Sequence, residues 1–111
     1  MSPETKDALE DVLRNGKAIR QFASEHDFES YCRDMKTRLA IERSFEIIGE
    51  ALNRIKKSDS NVLESIRDYR SIISFRNILA HGYDHIEDRI VWGIVHTNLR
   101  TLLEDVERLI E

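Results

Sequence analysis

Pro3 is the only proline in this chain of 111 residues, and only four glycines accompany it. A chain so poor in breakers has little means of forming many short strands and tight turns. Its apolar residues instead recur at steps of three and four, the helical period. Ser2-Pro3 supplies an N-cap followed by proline at the first helical position. Leu9, Val12, Leu13, Ile19, Phe22 and Ala23 continue as a stripe ending near Ser24. Gly16 weakens this first helix and marks a candidate close approach. Asp27 stands where it can cap a long second helix reaching about Lys57. Phe28, Cys32, Met35 and Leu39 set one spacing, and Ile41, Phe45, Ile48, Leu52 and Ile55 carry it on. Ala40, Ser44, Ile47 and Ala51 form a smaller stripe, so one seam can serve the bundle and the other a second subunit. Gly49, inside this helix, costs roughly 1 kcal/mol relative to alanine, and a close helix contact is the expected return.

Ser58-Asp59-Ser60-Asn61 reads as a loop of capping residues. A third helix follows with Leu63, Ile66, Ile72, Ile73, Phe75 and Leu79, and is expected to stop near His81 because Gly82 suits the position just past a helix end. Asp84 and Glu87 have the spacing of a capping box, with Asp in place of Ser or Thr, for a fourth helix. Its seam runs Ile90, Val91, Ile94, Val95, Leu99, Leu102, Val106, Leu109 and Ile110. The fold class is therefore all-α: an up-and-down bundle of four main helices, with room for an additional short one, in a single domain over residues 1–111.

Charge and cysteine content narrow the function. The net charge is −4, whereas a dedicated duplex-DNA binder is usually basic. Any nucleic acid contact must use a local basic patch, strengthened if two chains pool their positive charge. Cys32 is the only cysteine, which rules out an internal disulfide and suits a reducing compartment. It lies on an apolar stripe and reads as core packing. No apolar run approaches membrane-spanning length, and Met1-Ser2-Pro3-Glu4 does not read as a signal peptide, so the expected location is cytoplasmic.

The polar groups concentrate in Arg76-Asn77-Ile78-Leu79-Ala80-His81-Gly82-Tyr83. Arginine holds a phosphate by bidentate hydrogen bonds, and histidine is the side chain whose ordinary pKa lies closest to neutral. Together they can do phosphate chemistry without a metal or cofactor. On a regular helix, residues five apart point about 140° from each other. Arg76 and His81 then converge only if the helix ends or bends, if Arg76 reaches around, or if two chains share the site. Asn77 and His81, four apart, share a face. Each residue also has a structural reading, which spacing alone favours over catalysis. A histidine in a last turn meets the negative end of the helix dipole, an arginine near helix ends braces the fold, and a tyrosine after glycine anchors packing. His26, His85 and His96 read as isolated surface or helix-end residues, and no metal shell is evident. Arg67 and Arg70 precede the run and can extend a basic patch, although solvated surface is the commoner fate. Glu50 either pairs with Arg54, four residues on, or serves a cleft.

These residues resemble the HepT family of HEPN-domain proteins, the toxin partners of minimal nucleotidyltransferases. The likeness covers nearly the whole chain. Its sharpest part is Arg76, four residues, His81, one residue and Tyr83, with Asn77 after the arginine. Glu42-Arg43, Ile47-Ile48-Gly49-Glu50-Ala51, Tyr69-Arg70, Tyr83-Asp84 and Val91-Trp92 also fit. The resemblance implies a homodimeric, metal-independent endoribonuclease that needs no cofactor. His81 acts as general acid or base, Arg76 stabilises charge on the phosphate, and Asn77 orients the phosphate or His81. Arg67 and Arg70 are candidate RNA contacts. It further implies control by a cognate nucleotidyltransferase antitoxin that transfers AMP to Tyr83. RNA is the expected substrate, with neither DNA nor membrane as a partner. The competing reading is a non-catalytic dimeric adaptor binding RNA, nucleotide or the nucleotidyltransferase.

Overall fold

The computed structural model describes residues 1–81 and 87–111. The first helix, α1, spans Pro3–Ser24 as its signals predict. The Ser2 hydroxyl accepts from the Thr5 backbone N–H at 3.2 Å. The buried face, which includes Ala8, Leu9, Val12, Gly16, Ile19 and Ala23, keeps the steps of three and four. Gly16 has the use expected of it, because a Cβ there would run into the buried side chain of Leu103.

The long second helix is two helices, α2 over Phe28–Arg33 and α3 over Met35–Ser58. Asp27 caps α2, receiving the Ser30 N–H at 2.8 Å while its own N–H donates to the Ser30 hydroxyl at 3.1 Å. The break falls at Asp34, whose φ of −109° and ψ of 91° leave the helical region. Its carboxylate accepts from the Thr37 N–H at 3.2 Å and the Thr37 hydroxyl at 2.9 Å. Aspartate competes with the helical ladder in this way and favours caps over interiors. The apolar spacing runs across the break without registering it. Breaking the helix turns Tyr31 inward onto Trp92, with ring centroids 4.9 Å apart. It also leaves Met35 and Leu39 exposed, at 63% and 56%. The smaller stripe on α3 is in part covered within the chain. Ser44 and Ala51 are buried within the chain, and Ala40 and Ile47 are half-buried.

The third helix is likewise interrupted, into α4 over Ser60–Glu64 and α5 over Tyr69–His81. Asp68 between them has φ 62°, the left-handed region that Asp tolerates better than most residues. The bend is tied to the last helix, since the Arg67 N–H donates to Asp105 Oδ2 at 2.8 Å. That helix, α6, spans Asp88–Ile110, with Glu87 as an N-cap that makes no side-chain hydrogen bond. It begins later than the Asp84–Glu87 spacing suggests; Asp84 itself lies outside the described residues.

The described residues form four long helices and two short ones, with α3 packed between α1 and α5 and in contact with α2 and α4. One hydrophobic cluster joins them, from Leu9, Val12 and Ile19 through Phe45, Ile48 and Leu52 to Phe75, Leu99, Leu102 and Val106. Phe75 meets Phe45 edge-on, ring centroids 5.2 Å apart at 79°, and this contact seats α5 on α3. Such a pair adds about 0.5–1.5 kcal/mol beyond the area it buries. Among the described residues there is no strand, and no helix is long and apolar enough to cross a membrane.

Candidate functional site

The residue after Phe75 is Arg76, so the aromatic pair that docks α5 also lays the Arg76 stem across α3. It crosses at Gly49, where an added Cβ would overlap Cβ and Cγ of Arg76. The glycine inside α3 is therefore the seat of the arginine, which accounts for its helix cost. Packing leaves the Arg76 side chain 21% exposed, with Nη2 3.6 Å from Glu50 Oε1. Nη1 donates to the Asn77 amide oxygen at 3.2 Å. Nε is buried and has no hydrogen-bond partner among the described residues. Buried donors are almost always satisfied, so Nε is an exception among the described residues.

Glu50 does not take the Arg54 option. Arg54 reaches across to Asp11 at 2.5 Å, while Glu50 faces Arg76 and also lies 3.6 Å from Arg43 Nη1. Arg43 in turn donates to Glu46 at 3.2 Å. A row of alternating charge thus runs along α3 to Arg76. Sequence spacing flagged Gly49 and Glu50 but could not say what they face.

His81 is the last residue of α5 and is exposed. Because α5 stays α-helical from Tyr69 through His81, Arg76 turns toward α3 while His81 points about 140° away. No bend up to His81 brings the two together. Asn77 is exposed and bonded to Arg76, so the structure brings it to the arginine. Tyr83 and His85 lie outside the described residues.

Arg67 and Arg70 have different surroundings. The Arg67 guanidinium grips the buried Asp105, Nη2 to Oδ1 at 2.9 Å and Nε to Oδ2 at 3.2 Å. Arg70 is 78% exposed, its guanidinium 4.9 Å from the Tyr69 ring centroid and 3.9 Å from Glu64. Near Arg70, a groove of about 390 Å³ opens between α5 and α6. Phe75, Ile78, Ile90 and Ile94 line it, and Ile78 and Ile90 are 54% and 46% exposed.

Two histidines are less isolated than their spacing suggests. His26 is half-buried, with Nδ1 2.9 Å from the Ser30 hydroxyl and Nε2 3.3 Å from Thr37 Oγ1, which ties α2 to α3. His96 lies against Trp92, ring centroids 4.4 Å apart. Cys32 is half-buried against the core, and burial, then the nearby Asp88 carboxylate, pushes its thiol pKa up. Neither effect makes a nucleophilic thiolate. Beside it lies a polar cluster that sequence reasoning missed. The buried Tyr31 hydroxyl, held protonated by burial and by the charges of Glu42 and Asp88, sits where Arg38 approaches Asp88 at 3.7 Å.

Comparison with known proteins bears on the whole bundle. The family model described as "Ribonuclease HepT-like" matches residues 12–109. A Thermococcus cleftensis protein named "Probable ribonuclease HepT" is 33% identical over 109 residues, 98% of each chain. A Methanocaldococcus jannaschii protein named "Putative RNase" is 30% identical over 103 residues, 93% of this chain and 84% of its own. A Caldanaerobacter subterraneus protein with the same style of name is 25% identical over 103 residues, 93% and 91% of the two chains. No solved structure matches.

Proposed function

The chain belongs to the HepT-like ribonuclease family, and from that premise we propose that it is a metal-independent endoribonuclease toxin whose site is shared between two copies. Arg76 carries the proposal. Its stem is seated on Gly49, and its charge stands at a partly open surface. This is what a phosphate-binding arginine requires.

In this reading His81 accepts the proton of an RNA 2′-hydroxyl or delivers one to the leaving oxygen. The 2′ oxygen attacks the adjacent phosphorus, the bond to the 5′ oxygen breaks, and that oxygen leaves as a hydroxyl. The product end is a 2′,3′-cyclic phosphate. Arg76 stabilises the extra negative charge on the phosphoryl oxygens in the transition state, and the Asn77 amide steadies the guanidinium. Exposed Arg70 extends the basic surface, and Arg67 contributes through the part of its guanidinium left open to solvent. The 140° divergence of Arg76 and His81 within one helix favours a homodimer in which Arg76 of one copy meets His81 of the other. The apolar groove beside Ile78 and Ile90 is a suitable surface for that contact. The expected location is the cytoplasm, where RNA and ATP are both at hand.

An oligonucleotide with a single 2′-deoxy substitution at the scissile position is expected to resist cleavage there, while its all-ribo counterpart is cut to a fragment ending in a cyclic phosphate. Mass spectrometry of the fragments reads both results. Equal cutting of the two strands would refute 2′-hydroxyl attack. Failure to cut either, by protein of unmodified mass, would favour the adaptor reading, which the net charge of −4 supports.

We further propose that a cognate nucleotidyltransferase antitoxin silences the enzyme. The Tyr83 hydroxyl attacks the α-phosphorus of ATP, pyrophosphate leaves, and AMP remains on the phenolic oxygen. The added phosphate then competes with RNA for the arginines. Tyr83→Phe is expected to keep its ribonuclease activity in the presence of the antitoxin and ATP, conditions that inactivate the wild type. Neutralisation of Tyr83→Phe that still depends on nucleotidyl transfer would remove Tyr83 from this role.

A further inference from the structure

We infer that Glu50 is the positioning residue of Arg76, setting where the guanidinium stands while leaving its donors free for a phosphate. The inference rests on the ribonuclease reading for its catalytic consequence, although its structural part stands alone. Gly49 removes the obstacle to the Arg76 stem, but a clear path does not fix a long side chain at its charged end. Two groups act there. Asn77 accepts one N–H at 3.2 Å, and Glu50 presents Oε1 3.6 Å from Nη2.

The second distance decides the role. At 3.6 Å the carboxylate attracts the guanidinium without receiving a normal hydrogen bond. Arginine has five N–H donors, and the Asn77 bond uses one of them. The Glu50 charge therefore draws the head group toward α3 while further Nη N–H groups remain for a phosphate. A bidentate clamp would hold Arg76 more firmly and silence it. Arg43 competes for the same carboxylate. It stands 3.6 Å from the same Oε1 and is itself held by Glu46 at 3.2 Å, so Glu50 is shared between two cations. Arg43 and Glu50, seven residues apart, lie on one face of α3, which keeps the three charges in line.

Full-length Glu50→Gln, which keeps shape and removes charge, and Glu50→Asp, which keeps charge with a shorter reach, test this. The first readout is the ¹⁵N heteronuclear NOE of the Arg76 Nε–Hε signal, assigned by its loss in Arg76→Lys. The signal is expected to be ordered in the wild type, mobile in Glu50→Gln and intermediate in Glu50→Asp. The second is steady-state cleavage of an RNA oligonucleotide. Glu50→Gln is expected to lower kcat at least tenfold with KM unchanged or reduced, because losing a negative charge does not weaken attraction for RNA. Glu50→Asp should recover part of the loss. An Arg76 signal equally ordered in Glu50→Gln overturns the inference, and so does a rise in KM with kcat unchanged. If the wild type does not cut RNA, the ribonuclease reading fails by itself and the NOE still decides the role of Glu50.

Discussion

Replacing His81 by alanine is expected to slow RNA cleavage by about 10²- to 10⁴-fold, the range general acid–base groups supply. The fold should tolerate the change. His81 is exposed at the end of α5, so the loss is confined to a dipole interaction worth about 0.3–1 kcal/mol. The experiment compares initial cleavage rates of wild type and variant, with circular dichroism and an intact-mass spectrum of each preparation. The mass spectrum is essential, because an adenylate on the wild type would silence it independently of His81. Cleavage by His81→Ala within a factor of three of the wild type would exclude His81 from proton transfer. Mixed dimers carry the test further. If the site is shared, Arg76→Ala and His81→Ala mixed together should regain activity, since one of the two sites in a heterodimer keeps both groups.

The largest effect on stability is expected at Asp105. Its side chain is 1% exposed in the apolar seam of α6 and accepts from the Arg67 backbone N–H, from the Arg67 guanidinium and from Arg108 at 3.2 Å. Asp105→Ala removes these acceptors together, leaving the Arg67 N–H and the left-handed turn at Asp68 without their tether. A loss of about 1–3 kcal/mol is expected, the range for leaving a hydrogen-bonding group without its partner. Urea unfolding measures it. The hydrogen bond from Arg67, opposed by desolvation, holds the Asp105 pKa below its ordinary value. A carboxylate whose folded-state pKa is depressed contributes fully above the unfolded value, about 3.9. The contribution is lost as pH falls through the folded-state value. The gap between wild type and Asp105→Ala should therefore be widest near neutrality and narrow below about pH 4. A gap under 1 kcal/mol at pH 7, or one independent of pH, would show that Asp105 does not anchor the turn.

Much of this molecule is legible in one dimension. Ser2-Pro3 starts α1, the steps of three and four pick out its buried face, and the scarcity of breakers predicts the helical class. Periodicity fails at Asp34 and around Asp68, where helices break although the apolar spacing continues. A hydrophobic stripe records which residues are buried, not whether the backbone between them stays helical. The breaks are made by polar contacts that spacing does not report. Asp34 is secured by Thr37, and the turn before α5 by Asp105, thirty-eight residues away. Asp105 lies in the buried face of α6, and its role is legible only with Arg67 placed beside it.

The candidate site divides the same way. Arg76, Asn77, His81 and Tyr83 stand out in the sequence because their chemistry is unusual among helical apolar residues, and because their spacing resembles a known family. Gly49 and Glu50 were visible as a costly glycine beside an unassigned acid. What they do was decided only when Phe75 docked on Phe45 and carried the Arg76 stem over Gly49 and its guanidinium to Glu50. The helical period and the residue types at the motif are local properties, determined by each residue and its near neighbours. Which charge meets which is a property of two helices crossing, and it depends on side-chain volumes far apart in the chain.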